Sequence, residues 1–469
     1  MIYSPLHPIL TCKPKQRQDW GNLYGSSIGL VISQVAQQAP LIVITPDSLT
    51  AQRLVEDIQF YAPDLSLLNF PDWETLPYDL FSPHQDIISD RLTTLYHLSD
   101  IKKGVLVLPI STLMYRLAPT DYVKANSLLL TKGQQFHVEK FRQQLERNGY
   151  RCVSQVMEHG EFAVRGSLFD LFPMGSNRPY RIDLFDDEVD SIRRFDPETQ
   201  RSQTTLDEIR LLPAREFPFN EESIERFSTQ WRTEFGGNPL NCPIYQDIKS
   251  GLASAGIEYY LPLFFEQTQT LFDYLPNQSV IMTFEGVLET AEQFWQEINA
   301  RYEQLRHDVQ RPILPPKQLF IEVNQIFADF KAYPHIHINQ TKTNKTTGIN
   351  FTTQPPPQLP INAKASQPLA ALHHFLAEFQ GRVLITAETT GRRESLLELL
   401  GKYQLKPKIV DNWQSFLQSD KPLCLTIASL QQGLVLTPPN PPLTRGGRTR
   451  SPLTFPYKRG DRTGNPSPC

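Results

Sequence analysis

The chain has 469 residues, of which 40% are hydrophobic and 20% charged, an ordinary balance for a globular protein of roughly three to four domains. Its net charge of −4 argues against a broadly basic nucleic-acid binder and leaves room only for a local basic patch. The five cysteines, Cys12, Cys152, Cys242, Cys424 and Cys469, form no C-x-x-C pair, which speaks against a zinc site or a disulfide framework and for a reducing cytosol.

Pro5, Pro8 and Pro14 break the N-terminal stretch, so no secretory signal is expected there. Apolar runs such as residues 105–110 are too short to cross a bilayer. A soluble, cytoplasmic protein without membrane contact is expected.

Residues 20–125 read as alternating strand and helix. The run LIVIT at 41–45 is expected to be a buried parallel strand. A helix follows it, with Asp47 or Ser48 as N-cap. Further strands are expected at 65–70 and 104–109, with a helix opening at Ser111. Between them, Ile87, Ile88, Leu92 and Leu95 recur at helical spacing over 86–98. Strands alternating with helices predict a doubly wound sheet.

The period changes over residues 150–200. Short apolar segments at 162–164, 168–169, 182–184 and 189–192 are separated by Gly160, Gly166, Gly175 and Asp186-Asp187. These are strand-and-turn signals for a small, largely antiparallel domain. The acids Asp183, Asp186, Asp187, Glu188 and Asp190 read better as a charged hairpin turn than as a metal or paired-carboxylate site.

Residues 213–345 return to mixed α/β, with helices expected at 221–235 and 286–306 and a strand at 279–284. The Thr-, Asn- and Pro-rich stretch 340–358 reads as a linker. Another α/β unit follows: helix 369–379, strand 382–387, helix 392–403, strand 423–428. Residues 437–469 hold eight prolines, six Lys or Arg and one acid, and they repeat PLT and RG(G/D)RT. That composition cannot build a core. It reads either as a basic tail for nucleic acid or as translated repeat sequence behind a disrupted gene, the second being favoured.

Two runs are more than generic: FPDWETLPYDLFSPHQDIISDRL at 70–92 and MEHGEFAVRGSLFDLFPMGSNRPYRIDLFDDEVDSIRRFDPETQRS at 157–202. Both resemble the N-terminal region of the bacterial transcription-repair coupling factor family, Mfd. LLPAREFP at 211–218, AGIEYYLPLFF at 255–265 and GRRESLLELL at 391–400 support the likeness. It covers roughly residues 1–436, and there is a more distant likeness to the excision-repair protein UvrB.

The resemblance implies a degenerate P-loop-type (RecA-like) α/β domain split by an inserted small antiparallel β domain and followed by a second α/β domain. The expected boundaries are 1–130 and 213–345 for the split domain, 131–212 for the insert, 346–436 for the further α/β domain and 437–469 for a disordered tail. The resemblance also implies UvrA as partner of the insert. RNA polymerase and double-stranded DNA would be engaged only through C-terminal parts, whose motor motifs this sequence lacks, so it looks truncated. In the whole family protein a C-terminal domain is thought to mask the UvrA-binding face. This chain would then bind UvrA constitutively.

A working P-loop needs G-x-x-x-x-G-K-[ST]. The corresponding place, Gly21-Asn22-Leu23-Tyr24-Gly25-Ser26-Ser27, has its glycines one residue too close, and Ser26 stands where Lys is required. The strand at 279–284 ends in Glu285-Gly286 with no Asp before the Glu. The expectation is therefore no catalytic site, no cofactor and no metal, with ATP and Mg²⁺ belonging to the full-length family alone. His84, His159 and the pair His373-His374 lack metal spacing.

Alternation across a strand puts Ile182 and Leu184 on one face and Arg181, Asp183 and Phe185 on the other. In the earlier strand Phe162 and Val164 oppose Glu161, Ala163 and Arg165. If these strands pair, Arg165, Arg181 and Phe185 form one patch of binding-type residues. The other reading has the arginines in internal ion pairs with Asp183 or Glu161 and Phe185 in the core. Parity does not choose between them. The resemblance does, because in the family the UvrA-contacting positions fall on Arg165, Arg181 and Phe185.

Overall fold

The computed structural model describes residues 2–345, 348–362 and 367–437; all of the tail expected at 437–469 except Thr437 lies outside them. Its largest element is an eight-stranded, all-parallel sheet. From edge to edge the strands are Ile2–Tyr3, Ile349–Phe351, Arg17–Gly21, His335–Ile338, Val280–Phe284, Pro40–Thr45, Gly104–Pro109 and Leu67–Asn69.

Pro40–Thr45 and Gly104–Pro109 are buried at every position, as strands covered on both faces must be. Leu41, Val43, Val105 and Val107 pack with Ile32, Leu54 and Ile58 of the helices Ser27–Val35 and Ser48–Tyr61. Ile42, Ile44, Leu106 and Leu108 pack with Ile88, Leu92 and Leu95 of the helix Gln85–Leu98 on the opposite side. Asp47 caps Ser48–Tyr61 by accepting from the Thr50 amide at 2.7 Å, which satisfies an otherwise free N–H of the first turn.

The sheet is assembled from two separated stretches of chain, because the strand after Gly104–Pro109 in the sheet's own succession is Val280–Phe284. The excursion between them contains a two-stranded stem, Leu128–Thr131 against Glu208–Leu211, paired antiparallel from Leu128↔Leu211 to Thr131↔Glu208. Past that stem the chain forms a six-stranded sheet, ordered Ser202–Leu206, Glu188–Phe195, Tyr180–Phe185, Leu168–Phe172, Glu161–Arg165, Arg151–Cys152. All its pairings are antiparallel except that of the short edge strand Arg151–Cys152.

The runs 70–92 and 211–218 meet in the interior. Arg91 donates through Nε to Glu216 Oε1 at 2.7 Å, and Trp73 Nε1 donates to Glu216 Oε2 at 3.0 Å. The guanidinium lies 4.2 Å from the centre of the Phe70 ring. A second tie joins run 70–92 to run 157–202. His159 Nδ1 lies 2.6 Å from Asp86 Oδ1, and its Nε2 lies 2.6 Å from the Ser176 carbonyl. The aromatic and charged residues of these runs thus fasten the inserted sheet to the large one.

The stretch expected to be a linker, 340–358, is corrected by the structure. Ile349–Phe351 is a strand of the large sheet, between Ile2–Tyr3 and Arg17–Gly21, and Thr353–Gln354 pairs antiparallel with Val435–Leu436. Its Thr, Asn and Pro content hides a single apolar-polar-apolar triplet, Ile349-Asn350-Phe351, whose outer residues are buried. The strand Arg17–Gly21 and the helix Trp413–Gln418 likewise carry little periodic signal.

The last α/β unit has a three-stranded parallel sheet, Val383–Ala387, Leu423–Ile427, Lys408–Ile409. Val410, Trp413, Phe416 and Cys424 of this unit form one cluster with Leu30 and Tyr61 of the first helices. No helix among the described residues is long and apolar enough to cross a membrane.

Candidate functional site

The two faces of the inserted sheet differ in kind. Phe162, Phe169, Leu171, Ile182, Val189 and Ile192 are buried in the main core, with the Phe162 and Phe169 rings stacked 5.5 Å apart. On the outer face, cross-strand pairing makes one row of Ala163, Asp170, Arg181 and Arg193, and a second row of Arg165, Leu168, Asp183 and Ser191.

The strands carrying Arg165 and Arg181 do not pair with each other, because Leu168–Phe172 lies between them. That intervening strand supplies the residue that joins them. Asp170 is 1% exposed and accepts from Arg181 twice, Nε to Oδ1 at 2.7 Å and Nη2 to Oδ2 at 2.9 Å. Arg165 Nη2 reaches the same Oδ2 at 2.5 Å while its side chain stays 48% exposed. The Asp170 carboxylate raises the Arg181 pKa above its ordinary value.

Arg181 is further fixed by donating to the Gln200 carbonyl at 3.1 Å, with its guanidinium 4.8 Å from the centre of the Phe195 ring. Only 14% of its side chain is exposed. Beside it Val156, Ala163, Phe172 and Phe195 form a small second core that covers part of the outer face, while Arg165 and Phe185 stay exposed on it.

The arginines are thus in internal ion pairs, but neither expected acid is the partner. Asp183 accepts from Arg193 Nη2 and, at 2.7 Å, from Ser191 Oγ. Glu161 accepts from the Met157 and Glu158 amides at 2.9 and 3.0 Å and from Arg151 at 3.1 Å. Phe185 is not core: it is 74% exposed, next to a register shift between Asp183 and Leu184. The Asp186-Asp187 pair forms the hairpin turn, with Asp186 at φ 51°.

Asp170 was not among the expected site residues, although its signal was present. A lone carboxylate inside LFDLF cannot be buried without cationic partners, and RG and PYR flank it in sequence.

The other candidate region, Gly21 to Ser27, joins the strand Arg17–Gly21 to the helix Ser27–Val35, as a phosphate loop would. Several of its polar groups are engaged by other parts of the chain. The Asn22 amide donates to the Thr341 carbonyl at 2.9 Å and the Ser26 amide to the Gln432 carbonyl at 3.3 Å. Ser26 Oγ pairs with the Tyr61 hydroxyl at 2.8 Å, and Ser27 Oγ is buried without a partner.

Gly25 has φ 51°, and a Cβ there would meet the Gly433 carbonyl oxygen at 2.3 Å; one on Gly21 would meet the Thr343 amide nitrogen at 2.6 Å. A triphosphate needs free amides and a cation; here the Asn22 and Ser26 amides are already bonded to carbonyls, and Gly21 to Ser27 contains no Lys or Arg. A shallow cavity of about 160 Å³ lined by Pro46, Thr50, Glu285 and Gln340 lies nearby. No group of three or more His, Cys, Asp or Glu among the described residues is placed to hold a metal ion.

Residues 128–217 match the UvrB interaction domain, and residues 375–443 match the MFD D3 domain. The chain is 44% identical over 436 residues, 92% of its length, to the transcription-repair-coupling factor of Haemophilus influenzae, and 40% identical over 432 residues to that of Escherichia coli. It belongs to the transcription-repair-coupling factors, as their N-terminal region. The factor of Rickettsia bellii is 32% identical over 285 residues, 60% of the chain. The chain spans 38% and 37% of the lengths of the Haemophilus and Escherichia factors. The stretch matched as the UvrB interaction domain begins at the first strand of the stem, contains the whole six-stranded sheet, and ends just beyond the second.

Proposed function

We propose that residues 131–212 form a recruiting unit whose open outer face binds the excision-repair protein UvrA and brings it to stalled RNA polymerase. The observation that carries this reading is the convergence of Arg165 and Arg181 on Asp170, on the face that leaves Phe185 exposed.

Two guanidinium groups on one carboxylate leave a surplus positive charge. Arg165, held by one nitrogen and half exposed, can offer its remaining donors to a partner carboxylate. Phe185 suits an apolar pocket, and Arg and aromatic residues are the types that dominate binding energy at interfaces. Arg181 is nearly covered and acts as a positioning residue that holds Asp170, and through it Arg165.

We further propose that this region carries no catalytic step and no nucleotide or metal cofactor. Support comes from Ser26 at the position that needs Lys and from the carbonyls that already engage the loop amides. Contacts to RNA polymerase and double-stranded DNA are assigned to parts of the relatives outside the matched region, and the site of action to the cytoplasm. A pull-down of purified UvrA tests recruitment: the parent chain should retain UvrA and Arg181→Ala should retain less. Failure of the parent chain to retain UvrA contradicts the reading. ATP turnover by this chain contradicts its non-enzymatic part.

A further inference from the structure

The loop from Gly21 to Ser27 has the layout of a phosphate cradle, and its Asn22 and Ser26 amides donate to carbonyls of distant parts of the chain. Two adjacent contacts lead from it to the last α/β unit, and a third reaches that unit through Tyr61. The Ser26 amide, at the mouth of the helix Ser27–Val35, donates to the Gln432 carbonyl at 3.3 Å. Gly25, in the left-handed region, lets the Gly433 carbonyl approach so closely that any side chain at 25 would collide with it. Ser26 Oγ pairs at 2.8 Å with the Tyr61 hydroxyl, whose ring stands edge-on to Trp413 at 5.1 Å.

Around these contacts lie the apolar cluster of Leu30, Tyr61, Trp413 and Phe416 and the two-stranded pairing of Thr353–Gln354 with Val435–Leu436.

We infer that the relic phosphate loop is a docking socket: its Ser26 amide receives the backbone carbonyl of Gln432 where a nucleotide would place a phosphate oxygen, Gly25 makes room for the Gly433 carbonyl beside it, and the loop so fixes the last α/β unit on the first. The physical basis is the same for both ligands. Amides at a helix N-terminus carry partial positive charge and seek an acceptor. A peptide carbonyl is a weaker acceptor than a phosphate, but it is tethered and comes with an apolar surface. Ser26 is then explained: a Lys side chain at that position would displace the hydroxyl that supports Tyr61 and bring an unpaired charge against the cluster.

Hydrogen exchange on the full chain tests the inference. Gly25→Ala should raise exchange about tenfold or more at residues 432–436 and 353–354, which open together as one local unit. The central strand Pro40–Thr45 should keep its protection. Unchanged exchange at 432–436 would overturn the inference.

Should Gly25→Ala also strip protection from Pro40–Thr45, Trp413→Ala decides, because it leaves the loop sequence intact. Undocking should then expose the Ser26 amide, with at least about tenfold faster exchange there. A Ser26 amide that stays protected in Trp413→Ala would show that the socket does not hold the last unit.

Discussion

Asp170 receives Arg181 in a two-bond contact, at 2.7 and 2.9 Å, while remaining 1% exposed. Arg165 shares one of the same oxygens from a half-exposed position. The two arginines therefore have different tasks although they meet one carboxylate. Arg181 neutralises a buried charge, and Arg165 faces the solvent side of the pair.

Unequal stability costs follow. Arg181→Ala leaves Asp170 buried with a single partner, and losing one member of such a pair costs about 3 kcal/mol. Arg165→Ala removes a half-exposed partner from a carboxylate that Arg181 still satisfies, so its cost should be about 1 kcal/mol or less. Urea unfolding of both variants checks this. Equal costs would mean that the two arginines are equivalent.

Phe185→Ala should separate folding from binding. The side chain is 74% exposed, so its removal should change stability by about 0.5 kcal/mol or less. If it anchors UvrA, the same change should weaken binding by about 2 kcal/mol, roughly thirtyfold. Thermal melts and binding measured on one preparation give both numbers.

Glu258 predicts a pH dependence. Burial pushes its pKa up from 4.5 to about 6, against the lowering effect of the Ser82 hydroxyl bond. A carboxyl with a raised folded pKa holds its proton longer in the native state. Its destabilising effect is absent below about pH 4.5, grows as pH rises toward 6 and is complete above it. Glu258→Gln keeps an acceptor for Ser82 and cannot ionise. Stability relative to the parent should therefore rise with pH across this window, reaching about 2 kcal/mol above it. A difference independent of pH would contradict this.

The interior pair Arg91 and Glu216 ties the run at 70–92 to the run at 211–218. Glu216→Ala removes the acceptor of both Arg91 and Trp73 and leaves a buried guanidinium unpaired. It should cost about 3–5 kcal/mol, readable by denaturant titration.

Much of this architecture was legible. Strands such as Pro40–Thr45 and Gly104–Pro109 are continuous apolar runs because helices cover both faces, and continuous runs are easy to read. Alternation set Ile182 and Phe185 on opposite faces, and the resemblance chose the exposed reading of Phe185, which is 74% exposed. The Asp170 junction was harder to read because it depends on which strand lies between two others, and strand order is a long-range property. The strand Ile349–Phe351 was missed for a related reason: three residues joining a sheet built by distant segments carry too little local pattern to outweigh their polar neighbours.

The central claim is that the open outer face of the inserted sheet is a UvrA-binding surface. Titration of purified UvrA into the parent chain, into Phe185→Ala and into Arg165→Ala tests it most directly. Saturable binding by the parent, weakened roughly tenfold or more in each variant while both remain folded, is the predicted result. No binding by the parent, or binding that both variants retain in full, would contradict it.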